Sequence, residues 1–158
     1  MIRHSIIIFA LLLASLNAEQ LKIVADSFKA DEKKRTSIFI GNVKIKKGSD
    51  ELNASKVTVY TDADQKPKKM VVEGDVSFYI KTETDDTYRG TSQKAVLLPI
   101  KKIYKFYTDV HLQQINQKKD ITGDEVIIDT IKGKAFAKGA ERKPVIMIFD
   151  IPDKNESK

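Results

Sequence analysis

Four kinds of side-chain grouping in this sequence have types and spacing that chemistry could use. Asp62-x-Asp64, Asp85-Asp86 and Asp124-Glu125 are paired carboxylates. Such pairs serve acid–base work or cation binding when burial separates their titrations. These three sit in polar, turn-like stretches, where solvation explains them. His111 is the only histidine beyond the first few residues, and strict alternation puts it on a polar strand face. There is no cysteine. Thiolate catalysis, disulfides and Cys-ligated metals are therefore excluded. No Gly-rich phosphate loop, nucleophile elbow or His-rich metal set is present. The sequence reads as a non-enzyme with no cofactor and no metal.

Asn53-Ala-Ser55 and Asn155-Glu-Ser157 fit Asn-x-Ser, each with an acidic residue two positions earlier, Glu51 and Asp153. That is the extended acceptor pattern of some bacterial oligosaccharyltransferases. Asn155, in a polar tail, is the better candidate acceptor; Asn53 sits in a strand. Lysines cluster at 44, 46 and 47, at 66, 68 and 69, at 101, 102 and 105, and at 118 and 119. With a net charge of +6 they favour anionic partners. No aromatic residues interleave them as single-strand nucleic-acid binding requires, so nucleic acid is not the expected partner.

The elements that position these groups are repeated strands. Ser37-Ile-Phe39-Ile-Gly41-Asn-Val43-Lys-Ile45 returns about 33 residues later as Met70-Val-Val72-Glu-Gly74-Asp-Val76-Ser-Phe78. It returns again as Tyr104-Lys-Phe106-Tyr-Thr108-Asp-Val110-His-Leu112, with Thr108 in the glycine's place. A weaker copy covers Ala135–Ala140. A second strand type precedes each copy: Ile23-Val-Ala25-Asp-Ser-Phe28, Leu52-Asn-Ala54-Ser-Lys-Val57-Thr-Val59 and Ile121-Thr-Gly123-Asp-Glu-Val126-Ile-Ile128. The copy at Tyr88–Leu97 carries two extra residues, read as a bulge or a register slip.

Period-two alternation puts Phe39, Gly41, Val43 and Ile45 on one face, matched by Val72, Gly74, Val76 and Phe78. The other face, with Asn42, Lys44, Glu73, Asp75, Ser77, Asp109 and His111, is expected to be wet. Polar turns with Gly, Pro, Asn and Asp separate the strands. No segment has a helical period. Units of this kind cannot bury their apolar face alone and must stack. The fold class is therefore all-β, an antiparallel open β-jelly roll or solenoid built from stacked strand-pair repeats.

The ends of the chain are of different composition. Arg3 and His4, the apolar run Ile6–Leu13 and the small residues Ala14, Ser15 and Ala18 have the order of a cleavable export signal. Cleavage after Ala18 leaves Leu16 at position −3, which is larger than usual. The expected organisation is a signal at 1–18, a β-domain at 19–150 and a flexible tail at 151–158.

The Gly-Asn/Asp-Val copies, the apolar-x-Ala/Gly strand starts, the signal and the size together resemble the OstA-like family of periplasmic lipopolysaccharide-transport proteins, the LptA type. The resemblance covers about residues 20–150. It implies a twisted jelly roll, no catalysis, and an apolar groove for the acyl chains of lipid A. It also implies head-to-tail self-association, in a bridge between an inner-membrane LptC-like domain and an outer-membrane LptD-like domain.

Carried over residue by residue, the groove would be walled by Phe39, Val43, Ile45, Val57, Val59, Val72, Val76, Phe78, Phe106, Val110, Leu112, Val126 and Ile128. The assembly edges would be Ile23, Ala25 and Phe28 at one end. At the other end they would be Val145, Ile146, Met147, Ile148 and Phe149. Two other readings stay open: an anchored LptC-like subunit, marked by an uncleaved N-terminus, and a structural β-solenoid whose core is sealed.

Overall fold

The structure is a computed structural model, and it describes residues 19–152. The signal segment 1–18 and the acceptor Asn155 lie outside the described residues. Ten strands form one antiparallel sheet: β1 (Leu21–Val24), β2 (Ser27–Asp31), β3 (Thr36–Lys47), β4 (Asp50–Thr61), β5 (Pro67–Lys81), β6 (Thr87–Leu98), β7 (Ile103–Gln114), β8 (Lys119–Asp129), β9 (Lys134–Lys138) and β10 (Ile146–Phe149). From β3 to β8 each strand pairs with its sequence neighbours. At one end β1 and β2 pair side by side with β3; at the other, β9 and β10 pair with β8. The described chain is all-β and antiparallel, as the alternation predicts.

Each long strand is broken once near its middle. At Gly41-Asn42, Gly74-Asp75 and Thr108-Asp109 the register shifts, two residues standing against one of the partner strand. All six have positive φ, from 45° to 86°. Two residues in the left-handed region turn the strand sharply while keeping its inward parity. A Cβ on Gly74 would meet the Ser55 side chain at 2.8 Å, so only glycine fits that corner. The repeated Gly-Asn/Asp-Val is thus a corner, and the corners line up from strand to strand.

The bend folds the sheet into two facing layers. One layer contains β2, β9 and residues 36–40, 56–61, 67–73, 94–98, 103–107 and 125–129. The other contains β1, β10 and residues 43–47, 50–54, 76–81, 87–92, 110–114 and 119–123. Phe78 of the second layer and Phe106 of the first stack at 3.8 Å between them.

Two sequence expectations are adjusted. The strand at 88–97 carries no extra residues; Gly90 and Ser92 occupy the places of Leu52 and Ala54, and Tyr88 lies before the motif. The two-residue discrepancy was a register slip. The outer face is also less uniformly wet than alternation implies. On the first layer it carries Ile38, Val71, Val96 and Ile127, all partly buried. β-branched residues hold a pleated surface even where only half covered.

Candidate functional site, an apolar interior between two layers

Alternation aims one face of every strand at the space between the layers. Val43, Ile45, Val57, Val59, Val72, Val76, Phe78, Phe106, Val110, Leu112, Val126 and Ile128 all point there and are at most 5% exposed. Phe39 is partly buried and packs on the same cluster. The structure thus brings all thirteen candidate wall residues into one cluster. In the middle of the sheet that cluster is close-packed.

The interior contains more than the sequence reading picked out. Leu52, Met70, Ile80, Tyr88, Leu97, Tyr104 and Ile121 are equally buried. Leu52 and Ile121 begin strands of the second type, so their parity was already visible. Asp50 and Tyr104 were missed as a pair. Their contact spans 54 positions, and no local pattern reports it. The Tyr104 hydroxyl donates to Asp50 Oδ2 at 2.6 Å, and the Lys81 N–H donates to Oδ1 at 2.9 Å. Burial pushes the Asp50 carboxyl above its ordinary value, outweighing these two bonds and the Lys47 ammonium. Burial, then the Asp50 charge, pushes the Tyr104 phenol far up.

At both ends of the sheet residues of the inward face reach the surface, Phe28 at one and Met147 at the other. At the C-terminal end a cleft of about 310 Å³ has a mixed lining, with Ile121, Val126, Ala137 and Met147 beside Asp86, Gln117 and Lys119. At the N-terminal end Phe28 is 61% exposed and lies 5.1 Å from Phe39, ring to ring. A larger concavity of about 880 Å³ lies on the outer face of the second layer, between Glu51, Asn53, Arg89, His111, Asp120 and Ile148. Its lining is more apolar than polar and includes Phe78, Leu112 and Ile121 of the interior beside the outward-facing residues.

The edge residues lie where the strand order ends. Ile23 and Ala25 are partly buried against the core. Val145 is 36% exposed and Ile146, Met147, Ile148 and Phe149 are about half exposed. β1 and β10 each pair on one side only among the described residues. Their other edges offer free N–H and C=O groups.

The remaining candidates have ordinary surroundings. Asp62 Oδ1 accepts the Asp64 and Lys66 N–H groups, closing a turn. Asp86 Oδ1 accepts from Gln114. His111 is exposed on the outer face. Asn53 is held mid-strand between Lys44 and Ser77. Among the described residues no group of three or more His, Asp or Glu is placed to hold a metal.

Residues 22–134 match the family described as LptA/(LptD N-terminal domain) LPS transport protein. Among solved structures, the chain resembles the crystal structure of LptH, the LptA-homologous periplasmic component of the conserved lipopolysaccharide transport device of Pseudomonas aeruginosa. The TM-score is 0.75 at 18% identity, covering 84% of this chain and 96% of that one. At that identity the likeness speaks for the fold. No curated protein matches. With most of its length matched, the two-layered strand repeat described above belongs to the LptA/LptD N-terminal-domain family, non-enzymatic proteins of lipopolysaccharide transport.

Proposed function

We propose that the chain is a periplasmic carrier that holds lipid A acyl chains between its two layers and passes lipopolysaccharide from the inner to the outer membrane. The observation that carries this reading is the run of inward apolar side chains from Phe28 and Phe39 at one end to Met147 at the other. That run reaches the surface at both ends. An acyl chain laid along it would gain about 25 cal/mol per Å² of apolar area taken from water.

Stacking of copies end to end would join these interiors. The free edges of β1 and β10 suit such stacking, because one edge strand can satisfy another by adding to its ladder. An LptC-like and an LptD-like jelly roll would take the two ends of the bridge. Export by cleavage of residues 1–18 places the chain in the periplasm. Modification at Asn155 or Asn53 would show as added mass on the exported protein.

A diazirine-bearing side chain at Val76 or Phe106 tests the groove. Ultraviolet capture of lipopolysaccharide in cells is expected from these sites and not from Ser77 on the outer face. Capture from Ser77 alone would sink the reading. A second reading, a structural module with a sealed core, is favoured by the complete burial of Val72, Val76 and Phe106. It predicts no capture at any inward site.

A further inference from the structure

On the outer face of the second layer two rows of side chains run across the strands. Register places Asn53 of β4, Ser77 of β5, Thr91 of β6, His111 of β7 and Thr122 of β8 in one row. Two residues further along each strand, Glu51, Tyr79, Arg89, Gln113 and Asp120 form the other. All ten line the concavity of about 880 Å³, and Phe78, Gly90 and Leu112 contribute to its floor between the rows. The Arg89 guanidinium donates to Gln113 Oε1 at 3.1 Å, and at one end Lys44 pairs with Glu51 at 3.4 Å. Tyr79 leaves 40% of its surface to solvent. None of the ten belongs to the apolar cluster between the layers.

We propose that this concavity binds a stretch of an extended, uncharged, β-linked glycan, which lies along the two rows and crosses one strand per sugar ring. Neighbouring strands are about 4.8 Å apart, and the two rows are about 7 Å apart. The first spacing is close to the length of one pyranose in an extended β-1,4 chain. The second is comparable to the width of a ring with its hydroxyls. Successive rings of such a chain are turned over, so its hydroxyls reach alternately to both sides and meet a row on each.

The side chains match a neutral, hydroxyl-rich ligand. Asn53, Ser77, Thr91, Gln113, Thr122 and the neutral form of His111 can each donate and accept, as sugar hydroxyls do. Lysine only donates, and no lysine lines the concavity. Its charged groups are two carboxylates and one guanidinium, in a chain of net charge +6. Anionic ligands are drawn instead to the lysine clusters elsewhere. The apolar floor and the Tyr79 ring suit the C–H faces that sugars also present. Both rows are held on paired strands before a ligand arrives, which lowers the ordering cost of binding. A sugar attached to acyl chains in the interior would have to reach around the edge of the sheet. The ligand is therefore a glycan separate from any lipid carried inside.

Calorimetric titration of the full-length exported protein with N-acetylchitohexaose, an uncharged β-1,4 chain, tests the site. The hexamer is expected to bind at least tenfold more tightly than N-acetylchitobiose, because it spans all five strands and the dimer only two. Tyr79→Ala should weaken the hexamer at least tenfold. Thr91→Val keeps the side-chain shape and removes the hydroxyl, and it should weaken binding at least threefold. Thr58→Val, on the outer face of the first layer, should leave binding unchanged. Lipopolysaccharide capture by the diazirine probe at Val76 should be the same in Tyr79→Ala as in the parent. No binding of the hexamer, or equal affinity for hexamer and dimer, would overturn the glycan site and leave the carrier reading intact. A parallel loss of capture in Tyr79→Ala would assign the concavity to the sugars of the carried lipid and overturn a separate glycan. Hexamer binding by a parent that captures no lipopolysaccharide would uphold the site and overturn the carrier reading alone.

Discussion

Phe78 and Phe106 face each other from opposite layers with ring centroids 3.8 Å apart and planes inclined by 20°. Both rings lie in the buried interior, and each is at most 3% exposed. Truncating either should therefore leave a cavity that the bent sheet cannot close. Phe106→Ala should cost about 3–5 kcal/mol of unfolding free energy, and Phe106→Leu clearly less. Urea unfolding measures both. A Phe106→Ala loss below about 1 kcal/mol would mean that the layers close on each other freely.

Gly90 makes room for that stack. A Cβ at this position would meet the tip of the Phe78 ring at 2.8 Å and would overlap the His111 backbone carbonyl. The ring can move, but the carbonyl belongs to the β6–β7 ladder. Gly90→Ala is expected to destabilise by more than 2 kcal/mol. Pairing it with Phe78→Leu should recover only a small part, because the carbonyl clash remains.

These two positions also show what the sequence could reveal. Phe78 and Phe106 occupy different places in successive repeats, Phe78 matching Leu112 and Phe106 matching Val72, and alternation alone sends both inward. That they meet was not legible, because contact between layers depends on the corner. The corner was itself visible as a recurring Gly-Asn/Asp-Val. It was read as part of a straight apolar face, since two left-handed residues preserve parity and leave the alternation undisturbed. The same property hid Asp50–Tyr104. Each residue follows the inward parity of its own strand, but a polar residue at a strand start looks like a turn residue until the facing layer is known.

Thr108 departs from the glycine of the other two corners yet takes the same conformation, with φ 66°. A β-branched residue pays for this in steric strain between its side chain and backbone. Thr108→Gly should stabilise the chain by up to about 1 kcal/mol, after allowing for the greater freedom of glycine when unfolded. In a domain of this size that is roughly 3 °C in the midpoint of thermal unfolding. A lowered midpoint would show that the Thr108 side chain makes a compensating contact.

Asp50 should make stability depend on pH. Burial raises its folded pKa, while Tyr104, the Lys81 N–H and Lys47 pull it down and Glu19 adds a smaller push upward. Unfolded, it titrates near its ordinary 3.8. Between that value and the higher folded one, the folded chain binds more protons than the unfolded chain. This contribution to stability is therefore full below 3.8, falls as pH rises through the window, and is level above it. Asp50→Asn carries no proton in either state and can still accept from Lys81 while donating to the Tyr104 oxygen. Urea midpoints taken from pH 4 to 7 should fall for the parent relative to the variant. A difference independent of pH would show that the carboxyl is hydrated in the folded chain.

Ile148 tests the C-terminal edge. It lies on β10, pairs with Asp120 of β8 and is 60% exposed. Its side chain points outward while the free side of its backbone faces no strand among the described residues. If copies join by adding strand to strand here, the parent should associate as concentration rises, and sedimentation should show it. A lysine on an edge strand opposes such pairing because its charge must be desolvated against the incoming strand. Ile148→Lys should weaken association at least tenfold while changing monomer stability by no more than about 0.5 kcal/mol, as expected for an exposed position. Undiminished association would move the contact away from β10. A large loss of stability would instead make β10 part of the core, with its apolar run covering the C-terminal cleft.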